Sequence, residues 1–375
     1  MDKPHHATYL GKGKIEELRS LVEELDATLV IFDDQLSPAQ AKNVEEATGR
    51  RVMDRAELIL DIFATRARSS EARMQVELAQ LQYMLPRLTR MWTHLEKFRG
   101  GIGVRGPGET QLETDRRLIS HRIKILKGRL EDVQRAREVQ RHGRRNVYSA
   151  ALVGYTNAGK SSILRALSAS PEIFVEDRLF ATLDPLTRDV DLGEGQRMLL
   201  TDTVGFIRKL PHHLVASFRA TLEEVLEANL LLHVIDASHP GWEEQRPVVD
   251  AVLADLGAAE RPVLHVFNKI DRLDPDGLGA LQARMRNLLP NSVFVSAVAG
   301  ELDPLRRALL TAVRAERPMA EVRLGVGDGK LLADVHRNGE VLDTRHEGEV
   351  LILRARVDQA LAGRLRQAGA LVTAL

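Results

Sequence analysis

Gly154-Tyr155-Thr156-Asn157-Ala158-Gly159-Lys160-Ser161 follows the apolar run Ala150–Val153 and leads into a helical pattern starting near Lys160. The pattern is G-x-x-x-x-G-K-S between a strand and a helix, the setting in which it wraps a polyphosphate. Glycines let the backbone turn so that successive N–H groups point inward, and the helix N-terminus adds positive potential. Lys160 is the expected bridge between β- and γ-phosphates, and the Ser161 hydroxyl the expected Mg²⁺ ligand. Gly154, Tyr155, Thr156, Asn157, Ala158, Gly159 and Ser162 complete the predicted phosphate-binding set.

The base is read further along. The strand Leu264–Phe267 ends in Asn268-Lys269-Ile270-Asp271. A carboxylate at Asp271 can accept two hydrogen bonds from a guanine edge, and adenine has no matching donor pair. With the wrong base a buried charge stays unpaired, so discrimination is on the order of 10⁴. Asn268 is expected to contact the base edge and brace the phosphate loop, Lys269 to lie along the ring, and Ser296-Ala297 to offer an N–H to the guanine oxygen. This set argues against an adenine-nucleotide kinase or ATPase.

Between these motifs stands Leu199-Leu200-Thr201-Asp202-Thr203-Val204-Gly205. Asp202 closes a strand and is predicted to hold Mg²⁺ through water. Thr203, Val204 and Gly205 are predicted to line the γ-phosphate, and the Gly205 N–H lets go when that phosphate leaves. The aperiodic stretch Pro171–Arg188 reads as a second nucleotide-sensing loop. It contains Phe180, Ala181 and Thr182, with the Thr182 hydroxyl the predicted Mg²⁺ ligand and Thr187 the second choice. Phe206 stands where many nucleotide hydrolases place a water-orienting Gln; phenylalanine has no polar group for that task. Intrinsic hydrolysis should therefore be slow. An Asn157 oxygen can hold a monovalent cation, K⁺, against the phosphates instead. Lys160, Asn157 and Gly205 are the predicted catalytic contributors.

Short strands alternate with helices from 147 to 317: Tyr148–Val153, Met198–Asp202, Leu230–Asp236, Pro262–Asn268 and Ser292–Ser296. The expected fold class is α/β, a phosphate-loop domain with a mostly parallel sheet. Residues 1–68 read as a small α/β subdomain, with helices at Lys14–Leu25 and after Ser37-Pro38, and strands at Thr28–Phe32 and Arg51–Met53. Residues 69–146 read as a long antiparallel helical hairpin. Leu78, Leu81, Leu85, Leu88, Trp92 and Leu95 form one heptad seam, kinked or broken at Pro86; Leu112, Ile119, Leu126 and Val133 form the other. Gly100–Gly108, with five glycines and one proline, is the expected connecting loop, and the second helix is expected from about Glu109 to His142. Residues 318–375 read as a small α+β domain, with a helix near Lys330–Asn338, a strand at Glu349–Arg354, a helix near Gln359–Ala368 and no chemistry.

The whole chain has 53 Lys+Arg and 53 Asp+Glu, so no global field favours nucleic acid. Residues 99–145 depart from that balance, with 13 Lys/Arg against 6 Asp/Glu, a net +7. A basic excess beside a glycine loop is the footprint expected for binding a phosphate backbone. The chain has no cysteine, which excludes disulfides and thiolate metal sites and fits a reducing compartment. Nothing resembles a signal peptide or a membrane span. A monomer in the cytoplasm is expected, with peripheral membrane attachment as the alternative.

The combined motifs resemble the TRAFAC-class GTPases of the Era/Obg type and, within them, the HflX family of ribosome-associated GTPases. The specific likeness lies in Gly100-Gly101-Ile102-Gly103-Val104-Arg105-Gly106-Pro107-Gly108-Glu109-Thr110-Gln111-Leu112-Glu113-Thr114-Asp115-Arg116-Arg117, with Tyr9-Leu10-Gly11-Lys12-Gly13-Lys14 and Phe180-Ala181-Thr182-Leu183-Asp184. The resemblance covers about residues 8–317. It implies binding of GTP and GDP, Mg²⁺, K⁺ through Asn157, and ATP binding by the N-terminal region. It implies docking on the large ribosomal subunit and its RNA through the N-terminal domain and hairpin, with Arg105, Arg116 and Arg117 meeting the RNA. It implies splitting of stalled or stress-arrested ribosomes, with hydrolysis stimulated by the ribosome. A GTP-gated RNA-binding or assembly factor with incidental hydrolysis is the alternative. The chain starts close to Tyr9, so the family's first N-terminal strand or strands are expected to be missing from that sheet.

Overall fold

The computed structural model describes residues 4–88, 107–142, 147–170, 180, 182–208 and 224–375. They divide into two compact units. One holds the chain up to Gln140 with the described parts of 177–185 and 203–223; the other holds the remainder.

In the first unit, α1 (Lys12–Glu24), β1 (Leu29–Phe32), α2 (Pro38–Thr48) and β2 (Arg51–Asp54) alternate. β1 and β2 pair in parallel, from Leu29↔Arg51 to Phe32↔Asp54. Ser37 starts α2 as a capping box: its side chain accepts from the Gln40 N–H while its own N–H donates to the Gln40 side chain. Asp54 caps α3 (Arg55–Arg66), accepting from the Glu57 N–H at 2.9 Å. The same carboxylate takes the Leu36 N–H and the Arg87 guanidinium, each at 3.1 Å. α3 is absent from the sequence expectations, although Ala56, Ile59, Leu60 and Phe63 recur at one-face helical spacing and are all buried.

Helix α4 (Ser70–Met84) is capped by Ser69 and stops just before Pro86, at the break the sequence implies. Residues 89–98 of the expected first seam lie outside the described residues. Helix α5 (Pro107–His142) begins earlier than Glu109, so Pro107 and Gly108 belong to the helix and not to a loop. A proline in the first turn forgoes only an N–H that has no intrahelical partner. Arg122 of α5 grips Glu77 of α4 through two nitrogens at 2.7 and 2.9 Å, and Leu126 is fully buried. The remainder of the expected loop, 100–106 with Arg105, lies outside the described residues.

The second unit is built on a six-stranded sheet of order β4-β5-β3-β6-β7-β8. Its strands are β3 (Ser149–Gly154), β4 (Leu186–Gly193), β5 (Gln196–Asp202), β6 (Leu230–Asp236), β7 (Val263–Asn268) and β8 (Ser292–Phe294). All neighbours are parallel except β4, which folds back on β5. Adjacent residues of a strand face opposite ways. Thus Leu232, Val234 and Val266 pack with α6 (Lys160–Ser168) and α9 (Asp303–Glu316), while Ile235 and Phe267 pack on the other side with Trp242 and Met285. Those two residues belong to α7 (Trp242–Asp255) and α8 (Pro275–Leu288). Burying each such side chain stabilises by roughly 1.5–3 kcal/mol.

After α9 come β9 (Met319–Gly325), α10 (Gly329–Asn338), β10 (Glu340–Glu347), β11 (Val350–Arg356), α11 (Gln359–Gln367) and β12 (Leu371–Ala374). This is a βαββαβ arrangement with an antiparallel sheet of order β10-β11-β9-β12. Of these four strands, only β11 matches a strand expected from sequence. Gln196, buried at the start of β5, donates to Glu340 at 2.8 Å. No described helix is long and apolar enough to cross a membrane.

His233 of β6 and His265 of β7 are register partners with ring centroids 5.6 Å apart. Burial, then the neighbouring His265, Arg246 and Lys160, push the His233 imidazole down to about 3. Burial also lowers His265, with Arg246 adding to it. The unfolded chain therefore binds protons that the folded one refuses, and stability falls as pH drops below about 6.5. His233→Leu is expected to reduce that fall. Denaturant midpoints at pH 7 and pH 5 measure it; an unchanged difference between them would contradict the assignment.

Candidate functional site

The carboxyl ends of β3, β5, β6 and β7 carry the polar residues of the second unit, as ligand-binding residues do in open α/β sheets. β3 leaves its sheet at Gly154, where φ is +146° and a Cβ would stand 2.3 Å from the Val234 carbonyl of β6. No side chain fits there. The loop ends at Gly159, where φ is +96° and a Cβ would stand 2.2 Å from Asn268 Nδ2. Between them Ala158 and Thr156 are buried, and Asn157 adopts φ +62°. Ser162 lies in the first turn of α6.

Lys160 is buried at the start of α6, and its Nζ donates to the carbonyls of Gly154 at 3.2 Å and Tyr155 at 3.0 Å. Burial pushes its ammonium down to about 8 against the opposing pull of Asp202. A phosphate would add counter-charge here and favour the charged form further. Ser161 Oγ donates to Asp202 Oδ2 at 2.6 Å. A hydroxyl and a carboxylate brought together form the all-oxygen donor set that suits Mg²⁺.

Asn268 is buried at the end of β7. Its Nδ2 donates to the Ala158 carbonyl at 3.0 Å, and its Oδ1 accepts from the Ala297 N–H at 3.1 Å. Lys269, at φ +65°, donates from Nζ to the Asn157 carbonyl at 2.8 Å and pairs with Asp236 Oδ2 at 2.8 Å. Asp271 lies in the short turn Ile270–Arg272 and accepts from Ser296 Oγ, which in turn accepts from the Ala299 N–H at 3.1 Å. The structure thus brings Asn157, Ala158, Gly159, Asn268, Lys269, Asp271, Ser296 and Ala297 into one cluster. Asp236 is not among the sequence candidates. A signal was present: an acid closing the apolar run Leu230–Ile235 at the carboxyl end of a central strand.

Thr203, Val204, Gly205 and Phe206 belong to the first unit, as do Phe180 and Thr182. Phe206 is 1 % exposed, so its ring is a core residue. Phe180 is 2 % exposed and meets Phe63 edge to face, centroids 4.7 Å apart. Its side chain is committed to that core. Asp184 accepts from both the hydroxyl and the N–H of Ser69. Thr182 is half-buried. Ala181 lies outside the described residues.

Two sequence expectations change here. The loop expected over Pro171–Arg188 is shortened, because residues 186–188 already belong to β4. Thr187, the second choice for Mg²⁺, is instead the cross-strand partner of Thr201, with hydroxyls 2.9 Å apart. A β-branched pair on adjacent strands stabilises the sheet and occupies the hydroxyl. On α5, Arg116 and Arg117 are both exposed.

Residues 149–269 match a family model described as 50S ribosome-binding GTPase. Residues 1–64 and 66–144 match models described as GTP-binding GTPase N-terminal and GTP-binding GTPase Middle Region. The chain is 46 % identical over 370 residues to GTPase HflX of Magnetococcus marinus, covering 98 % of this chain and 84 % of that one. It is 47 % identical over 331 residues to GTPase HflX of Escherichia coli, covering 88 % and 77 %. A GTP-binding protein from the archaeon Sulfolobus solfataricus, solved with GDP, is 25 % identical with TM-score 0.45, covering 84 % of this chain and 89 % of that one.

Asp271 is the residue expected to read the base. Asp271→Asn is expected to weaken GDP binding by a factor on the order of 10⁴ and to favour the xanthine nucleotide, whose 2-oxo group accepts from the new amide. Calorimetric titration with GDP and XDP in Mg²⁺ measures both; unaltered GDP affinity would place base recognition elsewhere.

Proposed function

The chain belongs to the HflX family of GTPases, and we propose that it spends its GTP on the ribosome, binding the large subunit and splitting stalled or stress-arrested ribosomes. Hydrolysis to GDP and phosphate is the activity of the family. The observation that carries the ribosomal step is α5, a 36-residue helix in a segment of net charge +7, presenting Arg116 and Arg117 to solvent. Exposed basic residues on a long rigid element suit RNA phosphates. The description of the matched family model, a 50S ribosome-binding GTPase, points the same way.

In this reading the chain is organised as residues 1–68, 69–146, 147–317 and 318–375, with the first two segments and Arg105, Arg116 and Arg117 facing ribosomal RNA. Residues 154–162 hold the phosphates, and Phe180, Ala181, Thr203, Val204 and Gly205 complete the GTP-binding set. Asn268, Lys269, Asp271, Ser296 and Ala297 hold the base. Ser161, Thr182 and Asp202 hold Mg²⁺, which supplies charge neutralisation when bound. Asn157 holds K⁺, and Lys160, Asn157 and the Gly205 N–H act on the transferring phosphoryl group. The protein works as a monomer in the cytoplasm.

The ribosome is the expected activator. GTPase activity should be slow alone and rise by at least about tenfold with large subunits, more in K⁺ than in Na⁺. Replacing Arg116 and Arg117 by Ala should lower the salt dependence of subunit binding by about one to two in log–log slope while leaving GTP affinity intact. A rate indifferent to large subunits across a range of salt would remove the ribosomal reading.

One observation favours a second reading, a GTP-gated binding or assembly factor whose hydrolysis is incidental. Phe206 is buried where a water-orienting residue would be needed. Ribosome splitting with a non-hydrolysable GTP analogue separates the two. Our principal reading expects the analogue to arrest splitting; full splitting would select gating.

A further inference from the structure

We propose that Asp236 is a positioning residue for the guanine nucleotide, acting through Lys269 on both the tip of the phosphate loop and the platform under the base. The proposal rests on the reading of Asn268, Lys269 and Asp271 as the base site. Asp236 closes β6, next to β3 in the sheet. Its Oδ2 lies 2.8 Å from Lys269 Nζ. Its Oδ1 accepts from the Ser238 hydroxyl at 2.6 Å and the Ser238 N–H at 3.0 Å. Both carboxylate oxygens are therefore fixed, one by the chain that follows β6 and one by the lysine.

Lys269 carries that order onward. The same ammonium donates to the Asn157 carbonyl at 2.8 Å. Asn157 sits at φ +62°, the left-handed region that asparagine enters more readily than other non-glycine residues, and the lysine bond adds to what fixes it there. The side chains of Lys269 and Asp236 are only 13 % and 14 % exposed, so water screens their attraction little. Burial alone would push the Asp236 carboxyl up; the bonds from Lys269 and Ser238 outweigh it and hold the group below the usual carboxylate range.

A lysine stem is otherwise flexible, and ordering it on binding opposes affinity. A carboxylate that fixes the ammonium beforehand removes that opposition. Because Asp236 reaches the nucleotide only through Lys269, its effect should be equal for diphosphate and triphosphate. It should also disappear when Lys269 is gone.

The test is calorimetric titration of the full chain with GDP and with a non-hydrolysable GTP analogue, in Mg²⁺. Asp236→Asn should weaken both ligands by about tenfold, the scale of one charge-assisted hydrogen bond. Lys269→Met should weaken both as well, and adding Asp236→Asn to it should cause no further loss. Ser238→Ala loosens the carboxylate from its other side and should cost about threefold, again only while Lys269 is present; it serves as the test if Asp236→Asn does not fold. Wild-type affinity in the single variants, or losses that multiply in the double variant, would overturn the proposal while the base site stands. Absence of guanine-nucleotide binding by the wild-type chain would overturn the base-site reading itself.

Discussion

The side-chain amide of Asn268 joins two loops that come from different strands. One end of it holds the carbonyl of Ala158 in the phosphate loop, and the other holds the N–H of Ala297 after β8. Through that amide, the spacing of β3, β6 and β7 sets the distance between the loop at 154–159 and the loop at 296–299, the two ends of the proposed nucleotide site. The requirement is tight: Gly159 has no room for a Cβ because Nδ2 occupies that space. The glycine and the asparagine, 109 positions apart, are one constraint.

Such long-range pairs explain which parts of the site were legible in the linear chain. The phosphate loop could be read because its meaning is local: glycines, a lysine and a serine at fixed spacing, with strand before and helix after. Asp271 stands out as a candidate because it completes the Asn268-Lys269-x-Asp271 spacing at a strand end, a pattern that a lone acid lacks. Asp236 could not be chosen by the same reading. It is one of several acids that close strands, and only the fold shows that its partner is Lys269. Thr187 fails for the complementary reason. A threonine in an aperiodic stretch looks available, and its pairing with Thr201 exists only once β4 folds back on β5.

The fold shows the same division. The strands of the parallel part read as apolar runs, because helices cover both faces. β4 does not read as a strand because Thr187, Arg188, Asp189 and Asp191 make it polar, as an antiparallel edge strand with one wet side is allowed to be. The strands of the βαββαβ segment are hidden for a related reason. β10 alternates few apolar residues, β12 is only four residues long, and the apolar face of β9 finds a core only after α10 and α11 have packed on it. Helix α3 was legible in principle, since its buried face has ordinary helical spacing; it follows β2 without a loop, so its start is signalled by the Asp54 cap alone.

The ring of Phe180, set against Phe63, gives the segment around Thr182 a mechanical threshold. Drawing a fully buried aromatic side chain into water costs roughly 2–3 kcal/mol. A ligand that discriminates between two states of a protein typically does so by about 1–3 kcal/mol. The two quantities are matched in scale, so a single phosphate interaction is near the limit of what can pull this ring free.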